Sequence, residues 1–303
     1  MALLTVVLLS TVFYVLIPII GAFVVRQQWR NFRALLKRGW NLPSLPYGVA
    51  TGSFHVHGSL ESVQGDNMLW LRSTAGSVGV HVEKTPIYIL PGSQTYRRGP
   101  GAPAPKEPNV TPRVVSWKHL FALAEGTRLF VAGTVQEYQG APMFSVFDNV
   151  HPLIILYDCP ESVVLRRGIW TGRQRNEYWN SLTPLSLIAG VLANLLLLVF
   201  LYSESRLTSV QALTAAVLPL MPLMPPGVAG YYVYRRVWRR ARRCRAISDV
   251  LRSGHEERTA KRGNDLRRDA YQLEIGAIVV LLIALAVNSV LFAVLMALTL
   301  FAG

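Results

Sequence analysis

Four long apolar segments, each with arginine-rich flanks on one side, limit what this chain can become. They cover about Ala2–Val25, Thr183–Tyr202, Val210–Tyr234 and Ile275–Phe301. Each has the length and composition of a helix that crosses a bilayer. None of the four contains Asp, Glu, Lys, Arg or His. The sequence therefore predicts four transmembrane helices over 1–25, 183–202, 210–234 and 275–301, joined by one soluble domain at 39–165, a short interfacial segment at 166–182 and a basic loop at 235–274.

The charge is unevenly placed. The chain has 31 Lys/Arg against 17 Asp/Glu, a formal net charge of +14. Residues 39–165 hold eight Lys/Arg and nine Asp/Glu and are nearly neutral. The excess lies beside the apolar segments. Arg26, Arg30, Arg33, Lys37 and Arg38 follow the first, and Arg166, Arg167, Arg173 and Arg175 precede the second. The stretch from Arg235 to Glu274 carries thirteen Lys/Arg and six acids. Basic flanks stay on the cytoplasmic side, and one topology satisfies all of them: 39–180 and 235–274 inside, both termini outside. The first segment lacks a basic start and ends in Arg-Gln-Gln-Trp-Arg, so it reads as an uncleaved anchor. The high pI is then a property of membrane flanks and not a nucleic-acid footprint.

The soluble domain reads as about six or seven short strands and one short helix. Alternation starts near Val49. Met68–Ser73, Val78–Glu83 and Thr85–Leu90 follow, separated by turn residues. Pro91–Pro112 has the composition of a loop. Ser116 is placed to cap a helix over Trp117–Ala124. Arg128–Glu137 and Met143–Phe147 form a hairpin around Gln139-Gly140-Ala141, and Pro152–Tyr157 is the last strand. The expected fold class is an α+β membrane protein, with four transmembrane helices and an OB-like β-barrel inserted between the first two.

The run Leu123-Ala124-Glu125-Gly126-Thr127-Arg128-Leu129-Phe130-Val131-Ala132-Gly133-Thr134-Val135, then Pro152-Leu153-Ile154-Ile155-Leu156, then Ser162-Val163-Val164-Leu165 and an apolar span, resembles the beside-a-membrane domain of GIDE-type mitochondrial ubiquitin ligases and their prokaryotic relatives. The resemblance covers roughly 45–205. It implies a barrel held between two spans. It does not extend to ligase activity, because a RING needs seven or eight clustered Cys/His ligands and this chain has two cysteines. The basic loop and the last span have no counterpart in that pattern.

Candidate site residues fall in four groups. In Gly168–Asn180, Trp170, Tyr178 and Trp179 suit headgroup level. Arg173, Arg175, Asn176 and Glu177 supply polar contacts for anionic headgroups or a partner protein. Asn194 and Asn288 stand mid-span, where an amide seeks a partner on a neighbouring helix; they are expected at similar depth, facing a helix interface within the chain or between protomers of a homo-oligomer. Pro219, Pro222, Pro225 and Pro226 crowd the third span and predict a kink or a broken pair of helices. The Arg235–Arg245 run is expected to continue the third helix and to attract anionic lipid.

Other readings carry less. His55 and His57 share a strand face and His81 could join them, but no further ligand completes a metal set, so no metal or cofactor is expected. Trp70, Tyr88, Phe130, Tyr138, Phe144 and Phe147 could stack bases, but the domain lacks the positive charge that nucleic-acid binding needs. Cys159 and Cys244 read as free thiols, the latter placed where a lipid could be attached. Asn109-Val110-Thr111 is a glycosylation sequon that this topology keeps from the glycosylation machinery. No phosphate loop, nucleophile elbow or zinc-protease motif occurs. The leading expectation is a non-enzymatic membrane scaffold or adaptor. The alternatives are a transporter or channel component built on the broken third span, and a membrane enzyme acting on lipid.

Overall fold

A computed structural model describes residues 2–49, 51–65, 67–90, 112–116, 125–148, 150–173, 175–204, 208–217, 221, 224–253 and 257–301. The Pro91–Thr111 stretch, the helix expected at 117–124, the sequon, Pro219 and Pro222 lie outside them. The chain divides into two compact units: Met1–Gln28, Asn176–Arg245 and Asn264–Gly303 form one, and Trp29–Arg175 with Ala246–Gly263 form the other.

The second unit is built on eight strands: β1 Gly52–Gln64, β2 Met68–Ser73, β3 Gly76–His81, β4 Ile87–Ile89, β5 Arg113–Val115, β6 Arg128–Tyr138, β7 Ala141–Phe144 and β8 Leu153–Tyr157. Their order is β1-β2-β3-β7-β6-β8-β4-β5, and a β1–β6 pairing closes the first five into a barrel. β1, β2 and β3 form an antiparallel meander, β3 meets β7 in parallel, and β6 runs antiparallel to β1 and β7. Leu69 and Leu71 of β2 point inward while Arg72 points out, the period of two expected of a strand. Two residues, Gln139 and Gly140, join β6 to β7, and both have positive φ (53° and 77°). That is the I′ geometry whose twist suits a hairpin.

β6 and β8 are covered on both faces. Leu129, Val131, Val135, Ile154 and Leu156 fill the barrel. Phe130, Ala132, Leu153, Ile155 and Tyr157 face a second core with Phe32, Leu36, Val164, Ile169 and Trp170. This is why β8 is buried at all five positions. The helical side of that core comes from the end of α2 (Ile17–Trp40) and from α3 (Glu161–Trp170). The packing is close: a Cβ at Gly168 would collide with Leu36.

The first unit is helical. Its elements are α1 (Ala2–Thr11), the start of α2, α4 (Leu182–Ser203), α5 (Ser209–Val217), and parts of α6 (Pro225–Arg252) and α7 (Glu257–Phe301). Among the described residues three helices are long and apolar enough to cross a membrane: Thr5–Trp40, Leu182–Ser203 and Thr259–Leu295.

α4 packs against the first helix along a seam of Thr183, Ser186, Gly190 and Asn194. Asn194 donates to Ser10 Oγ at 3.0 Å, and a Cβ at Gly190 would press into Phe13. Val12–Leu16 forms a π-helical turn between α1 and α2. In that wider register the amide that would meet the Phe13 carbonyl belongs to residue 18, a proline with no N–H. Ser186 Oγ donates to that carbonyl instead. Further along, Asn180 Nδ2 donates to the Pro18 carbonyl at 3.3 Å.

The segment expected as the third span is two helices. α5 ends at Val217 and α6 begins at Pro225. Pro225 and Pro226 therefore do not kink a helix; they open one. The first turn of a helix has N–H groups without intrahelical partners, and proline has none to lose there. The Gly227 N–H remains, and Asn288 Oδ1 of α7 accepts it at 2.9 Å. Asn288 Nδ2 donates to the Met221 carbonyl, also at 2.9 Å. One fully buried amide thus satisfies backbone groups on both sides of the break. A Cβ at Gly230 would overlap Ala284, so α6 and α7 touch through small residues.

Candidate anion-binding face and its charge network

α6 has two unlike faces. On the inner one, Arg242 is 4% exposed and donates to both carboxylate oxygens of Glu177 at 2.9 Å. Both bonds come from Nη2, so a single guanidinium nitrogen bridges the two oxygens in a charge-assisted contact. The guanidinium also lies 5.0 Å from the centre of the Trp238 ring. Arg26 sits over the same ring at 5.5 Å, and Tyr234 stacks on it at 5.6 Å. One turn on, Arg245 pairs with Glu274 at 2.7 Å. Burial pulls the Arg242 guanidinium below its usual range, Glu177 opposes this, and Arg26 adds to it. Arg242 Nε and Glu274 Oε1 are buried without a hydrogen-bond partner among the described residues.

These contacts gather the ends of several apolar segments. Arg26 follows the first, Glu177 precedes the second, Arg242 follows the α5–α6 pair, and Glu274 precedes the last. Their proximity places those four ends together.

The outer face of α6 is different. Tyr232, Arg235, Arg236, Arg239, Arg240 and Arg243 recur at steps of three and four, which makes a single stripe. They line an open cleft of about 880 Å³. No carboxylate among the described residues pairs with any of these five arginines. Glu177 and Glu274 serve the inner face.

In the other unit, Asp249 near the end of α6 accepts from Lys37 at 3.0 Å and from Arg173. Burial alone would raise the Asp249 carboxyl; Arg173 and Lys37 outweigh it and hold the group below the usual carboxylate range. Arg173 Nε also donates to the Ile169 carbonyl at 2.9 Å.

The Gly168–Asn180 segment is thereby split. Trp170 is buried in the second core, Arg173 is committed to Asp249, and Glu177 to Arg242. These three hold the fold and are not offered to headgroups. Asn176 Oδ1 accepts from the Tyr178 amide at 3.3 Å, a local turn contact. Arg175, Tyr178 and Trp179 are exposed, Trp179 at 61%. Asn180, which the sequence does not single out, is buried and caps α4 through the Leu182 amide at 2.9 Å.

The histidines sit elsewhere. His55 Nδ1 lies 2.6 Å from the Leu42 carbonyl, and His57 Nδ1 lies 2.9 Å from the Tyr157 hydroxyl. Trp40 stacks on His55 and meets His57 edge-on. Burial lowers the His57 imidazole, Glu161 opposes and His55 reinforces. His81 lies instead by Asn67 and Glu83. Among the described residues no three His, Cys, Asp or Glu come together as a metal set. Cys159 and Cys244 are free thiols, and burial pushes Cys159 up.

Two features go beyond the sequence reading. The Arg235–Arg245 run is expected there as a whole, and its outer stripe separates from Arg242 and Arg245 once the run is placed on a 3.6-residue period. Asp249 as the acid that anchors Lys37 and Arg173 leaves no sequence signal, because its partners are 212 and 76 residues away.

No family model matches the chain, and no curated protein or solved structure matches it.

Proposed function

We propose that this is a multi-pass membrane protein that works as a non-enzymatic scaffold or adaptor, tethering a small β-barrel domain at the membrane surface. The observation that carries this reading is the inverted polarity of α4. Four of its five buried positions are Thr183, Ser186, Gly190 and Asn194, with Leu201 the fifth, while Leu185, Ile188, Leu195, Leu196 and Val199 are each 59–68% exposed. Water would not tolerate that arrangement, whereas lipid favours it: small and polar groups mediate helix contact and large apolar ones face the chains.

The convergence of Arg26, Glu177, Arg242 and Glu274 supports four passes whose basic ends share one side, with the third pass made of α5 and α6. By the positive-inside rule that side is cytoplasmic. The barrel, joined to apolar helices before and after it, belongs to the same side. The closed ring β1-β2-β3-β7-β6, with its single parallel β3–β7 pairing, supports reading it as OB-like and as related in kind to the beside-a-membrane domains. Tethering at both ends raises the local concentration of the barrel for anything else bound at that surface. Arg175, Tyr178 and Trp179 are the exposed residues with which the interfacial segment meets headgroups or a partner.

A transport role draws on the α5–α6 break, since broken helices line transporter sites. Asn288 bonds the Met221 carbonyl and the Gly227 N–H at that break, which favours a packing role. The test uses the purified full-length chain in liposomes together with a photo-crosslinking residue at Tyr138 in native membranes. Expected are no solute flux, no lipid conversion, and adducts to headgroups or to one dominant protein. Flux or lipid turnover above empty liposomes would overturn the scaffold role.

A further inference from the structure

The proposed function places α6 at a bilayer surface, and the site inferred here rests on that placement. We infer that the outer stripe of α6 is a binding site for a lipid headgroup that carries more than one phosphate.

The stripe holds unspent charge. Arg235, Arg236, Arg239, Arg240 and Arg243 stand within nine residues, about 12 Å of helix, and none has an acidic partner among the described residues. The helix does have carboxylates nearby, but they bond Arg242 and Arg245. The stripe places like charges at 235/239, 236/240 and 239/243, a spacing that disfavours the helix. A ligand with several negative charges would reverse the sign of all three contacts.

Shape points the same way. The stripe borders an open hollow of about 880 Å³ lined by α6 side chains, so a headgroup lying along the helix would meet several guanidiniums at once. Guanidinium forks suit phosphate oxygens in pairs, and five forks in so short a length exceed what one phosphate can engage.

Depth decides between a lipid and a soluble source of phosphate. The stripe begins at Tyr232, 69% exposed, beside Tyr231 and Val233, which are also exposed. Exposed aromatic and apolar side chains directly before a run of arginines mark the level where hydrocarbon gives way to headgroups. A ligand fixed there would bring its own acyl chains, which favours lipid over a soluble polyphosphate.

The experiment uses the full-length protein in nanodiscs of zwitterionic lipid. Short-chain inositol lipid bearing two ring phosphates, short-chain phosphatidylserine and free inositol polyphosphate are titrated and binding is read by calorimetry. The wild type should bind the multiply phosphorylated lipid at least tenfold more tightly than the serine lipid at matched charge. R236Q/R239Q/R240Q/R243Q should lose that preference. K261Q/R262Q/R267Q/R268Q removes equal charge from exposed positions of α7 and should stay within twofold of wild type. The four-lysine version of the ridge keeps charge without the fork, so it should fold and insert yet lose several-fold. Binding that follows total charge alone, equal loss in both four-glutamine variants, or tighter binding of the free polyphosphate than of the lipid would overturn the inference. The scaffold reading would survive each of these, because it depends on flux, turnover and crosslinking and not on headgroup choice.

Discussion

Asn288 acts as the N-cap of a helix to which it does not belong: its Oδ1 accepts the Gly227 N–H of α6 at 2.9 Å from a fully buried position on α7. The same amide holds the Met221 carbonyl on the far side of the break. On the proposed membrane placement of this pair, these backbone groups would have no water to turn to. Asn288→Leu should destabilise the solubilised protein by about 1–2 kcal/mol, seen as a lower unfolding midpoint, and Asn288→Gln should recover little because its amide is displaced by one methylene. An unchanged midpoint in Asn288→Leu would show that the break satisfies itself.

The Glu177–Arg242 pair is predicted to be strongly non-additive. Glu177→Gln leaves a buried guanidinium without its counter-charge, a change that typically costs about 3–5 kcal/mol. Adding Arg242→Met removes the stranded charge and should restore a large part of the loss. Thermal unfolding of the single and double variants measures this. A double variant as unstable as the sum of both singles would mean that the pair does not act as a unit.

Trp170 and Trp179 should separate cleanly. Trp170 is 7% exposed in the core with Phe32 and Ile169, and Trp179 is 61% exposed. Trp170→Ala should cost about 3–5 kcal/mol. Trp179→Ala should leave stability within about 0.5 kcal/mol of wild type while weakening association of that segment with bilayers. Equal stability losses would contradict the split of the Gly168–Asn180 segment.

His57 sets a pH dependence for the barrel unit. Burial depresses its folded value, with Glu161 opposing and His55 reinforcing. As pH falls below about 6.5, the ordinary histidine value, the unfolded chain takes up a proton that the folded domain still refuses. Stability is therefore full above that pH and declines below it until the folded imidazole protonates. His57→Gln should flatten the curve between about pH 7 and 5, as followed by circular dichroism. A variant with the wild-type slope would assign the effect to other groups.

Much of this architecture can be read from the chain, and the limits have physical causes. β2 is readable because Leu69 and Leu71 alternate with Trp70 and Arg72, and the β6–β7 turn because Gln139-Gly140 is a pair that tolerates positive φ. β5 escapes notice because three residues at the end of a proline-rich stretch carry no period. α3 escapes because Glu161–Trp170 merges with the interfacial segment; Val164, Leu165, Gly168 and Ile169 at helical spacing are the signal that would separate it. Pro18 and the π turn pass unseen because their consequence, an unpaired Phe13 carbonyl, is resolved by Ser186, 173 residues away. In the candidate site, residue types are legible and their partners are not. Nothing in the local sequence says that Arg173 turns inward to Asp249 while Arg240 has no acid beside it among the described residues.

Cysteine accessibility tests the central claim, that lipid-facing helices fix the basic ends and the barrel on one side of a membrane. Single cysteines at Tyr138, Arg240 and Ser203 in a background lacking Cys159 and Cys244 are exposed to an impermeant maleimide in sealed cells. Labelling is expected at 203 alone, with 138 and 240 labelled only after permeabilisation. Labelling of 138 together with 203 in intact cells would contradict the claim.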